Sequence, residues 1–110
     1  MKVFNKTKNL IVVDNITIAS TIAQKITGLI GKNSPSSLFI RTHWGIHTFG
    51  MKFPIDCLVL DNNGIVKSFY KNMSPNRVFI WLPIYSRVLE LPQNSIEKGR
   101  INLGDCLEIV

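Results

Sequence analysis

The sequence has no apolar run long enough to cross a bilayer. Its longest, Val78 to Tyr85, is eight residues, against about 20 for a spanning helix. It carries no secretory leader of ordinary form. The basic stretch Met1 to Asn9 is followed by an apolar run, Leu10 to Val13, that stops at Asp14. A signal needs about 7–15 apolar residues, so the chain reads as cytoplasmic. Cysteine is scarce. Cys57 and Cys106 are the only two; they form no C-x-x-C pair and cannot close a zinc site by themselves. For a cytoplasmic chain the expectation is two buried free thiols. There is no G-x-S-x-G, no Walker A loop and no dinucleotide-binding G-x-G-x-x-G, so no cofactor is expected. No RNA-recognition signature, internal repeat or low-complexity segment occurs.

What is present is a core. The chain has 110 residues, 45% hydrophobic and 18% charged. That suits one globular domain over 1–110, burying roughly two-thirds of the surface exposed when unfolded. The net charge is +6, and its excess lies early: ten Lys/Arg against three Asp/Glu up to Ile80, then three against four. These are scattered single charges with no block. They suit a solvated surface, with weak nucleic-acid binding as a secondary reading.

The periodicities predict a mainly β chain. Lys2 to Phe4 and Leu10 to Val13 suit a hairpin. Ser20 can cap a helix whose stripe is Ile18, Ile22, Ile26 and Leu29, ending at Gly28 or Gly31. This main helix is expected between Ala19 and Ile30. Strands are predicted over Leu38–Arg41, Ile55–Leu60, Ile65–Tyr70, Arg87–Leu91 and Asp105–Val110, with one helical turn over Asn94–Lys98. Asp61-Asn62-Asn63-Gly64 is a hairpin turn, because Asn and Gly tolerate positive φ. Both faces of Ile55–Leu60 are apolar apart from Asp56, which predicts a strand buried on both sides.

The stretch Gly45-Ile46-His47-Thr48-Phe49-Gly50-Met51-Lys52-Phe53-Pro54-Ile55-Asp56 resembles the signature of the bacterial and archaeal family called domain of unknown function 192. The resemblance continues through Asp61 to Val66, Ser74-Pro75-Asn76-Arg77, Val88 to Pro92, and Gly104-Asp105. Gln93 and Asn94 stand where members often have a small residue and then Gly; Asn is the usual substitute at positive φ. The resemblance implies a small jelly-roll-like sandwich or barrel with an N-terminal helix packed on it. It implies no activity.

Several residues have the character of a site. His43 and His47 lie four apart, but if extended their side chains sit about 13 Å apart, so no metal site is expected. His47, between glycines, either fixes a loop or binds a polar group in a pocket. Asp56 interrupts an apolar strand and needs a fixed partner, with Arg77, Arg87 and Lys52 as candidates, or a turn that it caps. Glu90 poses the same question. His47, Met51, Asp56 and Arg77 are the candidate pocket residues, with His47, Asp56 and Arg77 expected close together. Val78 to Tyr85 is either a core-covering loop or edge strand, or an exposed rim. Trp81 and Tyr85 are its candidate partner surface.

The reading is a non-enzymatic binding or accessory domain for a small molecule or a partner protein. The alternatives are a small enzyme using His47 and Asp56, and a weak nucleic-acid binder.

Overall fold

The computed structural model describes residues 1–19, 36–43 and 45–110. Its extended segments are rich in the β-branched and aromatic side chains that fit a pleated surface. The described residues form ten strands: β1 Val3–Asn5, β2 Leu10–Val13, β3 Thr17–Ile18, β4 Leu38–Arg41, β5 Ile46–His47, β6 Ile55–Leu60, β7 Val66–Met73, β8 Val78–Phe79, β9 Arg87–Pro92 and β10 Leu107–Ile109. One short helix, α1 Ser95–Lys98, stands among them. The chain is therefore mainly β. The helix expected between Ala19 and Ile30 lies, from Ser20 onward, outside the described residues.

Three sheets form. The central one has the order β3-β4-β9-β6-β7, a smaller one the order β10-β1-β2, and a two-stranded ribbon joins β5 to β8. No sheet closes into a barrel among the described residues. β3 and β4 are parallel; the other named pairs are antiparallel. β10 pairs with β1 in the register Val3↔Ile109, which joins the two ends of the chain.

All six β6 residues are buried, as the two-faced apolar pattern requires. One face of the central sheet carries Phe39, Leu58, Leu60, Leu89 and Leu91. They pack with Val3, Ile16, Ile96, Ile101 and Leu107, so the small sheet and α1 close this side. Each fully buried aliphatic here contributes roughly 1.5–3 kcal/mol of transfer free energy. On the opposite face, Leu38, Ile40, Ile55 and Met73 pack with Met51, and Cys57, Val59 and Val88 with Phe79, Trp81 and Tyr85.

The β6–β7 turn follows the sequence. Asp61 Oδ1 accepts from the backbone amides of Asn63 and Ile65, both at 2.9 Å. Gly64 has φ 83°, and a Cβ there would strike the Leu107 carbonyl. Asn94 has φ 74°, in the left-handed region that Asn tolerates.

Cys57 and Cys106 are both free. Cys57 is wholly buried, and burial pushes its thiol well up, with the neighbouring Glu90 and Asp56 charges adding to the rise. Cys106 is only half-buried, contrary to the expectation of two buried thiols. It sits at the lip of the β6–β7 turn, with Sγ 3.6 Å from the Asn63 carbonyl.

Candidate functional site

The Gly45–Pro54 stretch is organised by Thr48, a wholly buried residue. Its Oγ1 donates to the Ser74 carbonyl at 2.7 Å and accepts from the Arg77 amide at 2.8 Å. Its backbone N–H donates to the Arg77 carbonyl, and its carbonyl accepts from the Asn76 amide. One threonine thus binds residues 47–51 to residues 74–78. Gly45 makes the pairing possible further along, because a Cβ there would lie 2.6 Å from the Phe79 carbonyl oxygen.

This places the candidates as follows. His47 pairs in register with Val78, so His47 and Arg77 share one end of the β5–β8 ribbon, and both are exposed. His47 Nδ1 accepts from the Phe49 amide at 3.3 Å, and its ring lies 5.1 Å from the Phe49 ring. That is the loop-fixing contact. Arg77 Nη1 donates to the adjacent Asn76 carbonyl. Met51 is a core residue packed with Ile40, Ile55 and Met73.

Asp56 is 1% exposed. Its Oδ1 accepts from the Asn72 amide at 2.8 Å and its Oδ2 from the Ile96 amide at 2.9 Å. The carboxylate therefore ties the β7 bulge to the first turn of α1. Among the described residues neither Arg77 nor Arg87 forms an ion pair with it; backbone amides supply the donors that burial demands. The turn-capping alternative, extended to two backbone sites, describes Asp56 best.

His43 Nδ1 lies 2.7 Å from the Pro83 carbonyl, to which it must donate. The two histidines are thus committed to different backbone groups. Among the described residues no three His, Cys, Asp or Glu side chains converge.

The segment beyond β8 is the unusual surface. Phe79, Trp81 and Tyr85 turn inward onto Cys57, Val59 and Val88. Phe79 packs edge-on to Trp81 at 5.4 Å, and Trp81 Nε1 donates to the Tyr85 carbonyl at 2.8 Å. The aliphatic residues before and between them face outward: Val78 is 54% exposed, Ile80 69%, Leu82 64% and Ile84 75%. The candidate partner residues Trp81 and Tyr85 are therefore the brace beneath a ridge, and the aliphatic side chains form its crest. The alternation is visible in the sequence; which set turns outward is not. From Arg41 to Arg87 the acids are Asp56 and Asp61. The first is buried, and the second serves the hairpin turn and lies 3.8 Å from Lys67.

Fold and ridge together define a small, mainly β domain that exposes an apolar ridge. The chain belongs to the domain of unknown function 192 family (DUF192, an uncharacterized ACR), whose profile matches residues 3–109. No curated protein matches it. It is similar in structure to a protein of unknown function from Novosphingobium aromaticivorans DSM 12444, with TM-score 0.81 and 16% identity, covering 98% of this chain and 82% of that one. It is also similar to a Sinorhizobium meliloti 1021 protein named, provisionally, as a transcription regulator. There the TM-score is 0.77 and the identity 15%, over 97% of this chain and 89% of that one. At these identities the likeness is one of fold. No helix of the described residues is long and apolar enough to cross a membrane.

Proposed function

We propose that the protein is a binding or accessory domain that engages a partner protein through the Val78–Ile84 ridge. The observation that supports this is the outward alternation of four large aliphatic side chains on a braced segment. Exposed apolar surface of this continuity marks interaction sites on soluble domains. Exposed Arg77, next in the chain to Val78, favours a partner whose apolar contact carries a carboxylate at its rim. On this reading the domain works in the cytoplasm.

An enzyme built on His47 and Asp56 has less support. Asp56 is buried with both oxygens engaged, and His47 Nδ1 serves its own loop.

The test is site-specific photocrosslinking in cells. A crosslinking residue at Leu82 should give an adduct of one defined mass that the same residue at Lys98, an exposed position on α1, does not. The purified partner should then bind wild-type protein and not the Ile80→Ser/Ile84→Ser variant. Equal adducts at both positions would overturn the proposal. So would binding to anionic lipid vesicles with no protein adduct.

A further inference from the structure

We infer that a cleft between the β6–β7 turn and β10 binds a small monocarboxylate through Arg87. It is independent of the ridge. The cleft has a volume of about 230 Å³. Phe39, Leu60, Leu107 and Ile109 give it apolar walls, and the Asn62–Gly64 backbone and Arg87 line it as well.

Arg87 is held there from two sides. Its guanidinium carbon lies 5.5 Å from the Phe39 ring centroid, and Nη1 donates to the Asn62 carbonyl at 3.1 Å. Nε is different. It is the one buried side-chain polar atom without a hydrogen-bond partner among the described residues. A buried N–H with no acceptor is costly. Guanidinium carries Nε–H and one terminal N–H side by side, a fork that matches the two oxygens of a carboxylate. Nη1, the other terminal nitrogen, is the one spent on Asn62.

A second observation is independent of that orphan donor. Arg41 and Arg87 are direct partners across the antiparallel β4–β9 pair, so both side chains leave the same face of the sheet. Like charges directly opposite destabilise a sheet pair, and an anion bound beside them relieves the repulsion. The walls select the rest of the ligand. Their aliphatic and aromatic lining suits a short hydrocarbon body. Glu108, at the edge of the cleft and 3.6 Å from Lys6, opposes a second negative charge and so favours a monocarboxylate over a phosphate dianion. A free short-chain acid and the C-terminus of an apolar peptide share this chemistry.

The experiment is a nitrogen–proton NMR titration that includes the arginine Nε–H signals, with sodium hexanoate as probe. Expected are saturable shifts at Asn62–Gly64 and Leu107–Ile109, with a downfield shift of the Arg87 Nε–H. Arg87→Lys keeps the charge and loses the fork, and should weaken binding by about tenfold or more, or roughly 1.4 kcal/mol. Hexanamide should cause no saturable shift. Peptides ending in leucine, as free acid and as amide, separate the two sources: tighter binding of the free-acid peptide than of hexanoate assigns a chain terminus, and the reverse assigns a free acid. An unmoved Arg87 Nε–H in wild-type protein overturns the inference, whether or not the variant folds. So does equal binding of hexanoate and hexanamide, or tighter binding of inorganic phosphate.

Discussion

Asp56 and Ile84 sit at opposite ends of the same rule. The carboxylate is 1% exposed and the aliphatic side chain 75% exposed, each in the environment that suits the other. The difference lies in what answers them. Asp56 finds two backbone amides, so its burial is explained within the chain. Asp105 repeats the case near the joined termini. Its Oδ2 accepts from Lys8 Nζ at 2.8 Å, Asn5 Nδ2 at 3.2 Å and the Asn102 amide at 3.1 Å. For Ile84, Leu82, Ile80 and Val78 the fold offers no equivalent; they gain nothing from solvent. A feature that folding accounts for is a poor guide to function, and one that it leaves open is a better guide.

Three measurements would break or sharpen that contrast. The largest effect is expected at Asp56. Asp56→Asn keeps one acceptor and places an amide where the second was, so denaturant melts should show a loss of about 1–3 kcal/mol. The matching Arg77→Ala should cost little, and the double variant should show a coupling near zero. A coupling of 1 kcal/mol or more, on the order seen for contacting residues, would restore the pair expected from sequence.

The next effect is a pH dependence. Burial alone would raise the Asp105 carboxyl, but the hydrogen bonds from Lys8, Asn102 and Asn5, with the Lys8 charge, hold it below the usual value. A carboxyl lowered in the folded state binds fewer protons than in the unfolded chain. Its stabilisation is present above the unfolded value of about 3.9 and is lost as pH falls through the lower folded value. Melting temperature should therefore drop in that acid range, and Asp105→Asn should make the drop shallower. An identical acid profile for the variant would show that Asp105 makes no such contribution.

The smallest effect is expected on the ridge. Ile80→Ser and Ile84→Ser should each change stability by no more than about 0.5 kcal/mol. A loss of core size at either position would show that the ridge is part of the fold after all.

The sequence made visible those elements whose pattern is complete within one segment. β2, β4 and β6 fall over the expected residues, since each carries its own apolar run. The turn at Asp61–Gly64 was readable because its hydrogen bonds close within five residues. The helical turn after β9 was readable for the same reason, and the positive φ of Asn94 through the family resemblance. β7 runs three residues past its expected end at Tyr70, to Met73, through a register shift at which Asp56 holds the Asn72 amide. Nothing in Lys71-Asn72-Met73 announces a carboxylate from another strand. β3, β5 and β8 have two residues each, too few for a period, and exist because a partner lies alongside. Thr48 was invisible as a hub for that reason: its bonds reach 26 and 29 residues along the chain. In the sequence Arg87 suggests only a partner for Asp56, because the position of Phe39 and the β10 wall follows from the assembled sheets.

The pairing of β1 with β10 bears on how the protein emerges from a ribosome. Val3 is made before its partner Ile109 by more than 100 residues. β9, the middle strand of the central sheet, is also a late arrival, and both of its neighbours wait for it. Contacts so distant in sequence close slowly. Until β9 is out, β4 and β6 have no strand between them, and until β10 is out, β1 lacks one of its two neighbours. The nascent chain thus carries its apolar β segments incompletely paired while the residues between the partners are made, a period in which unpaired strand edges invite the wrong partners.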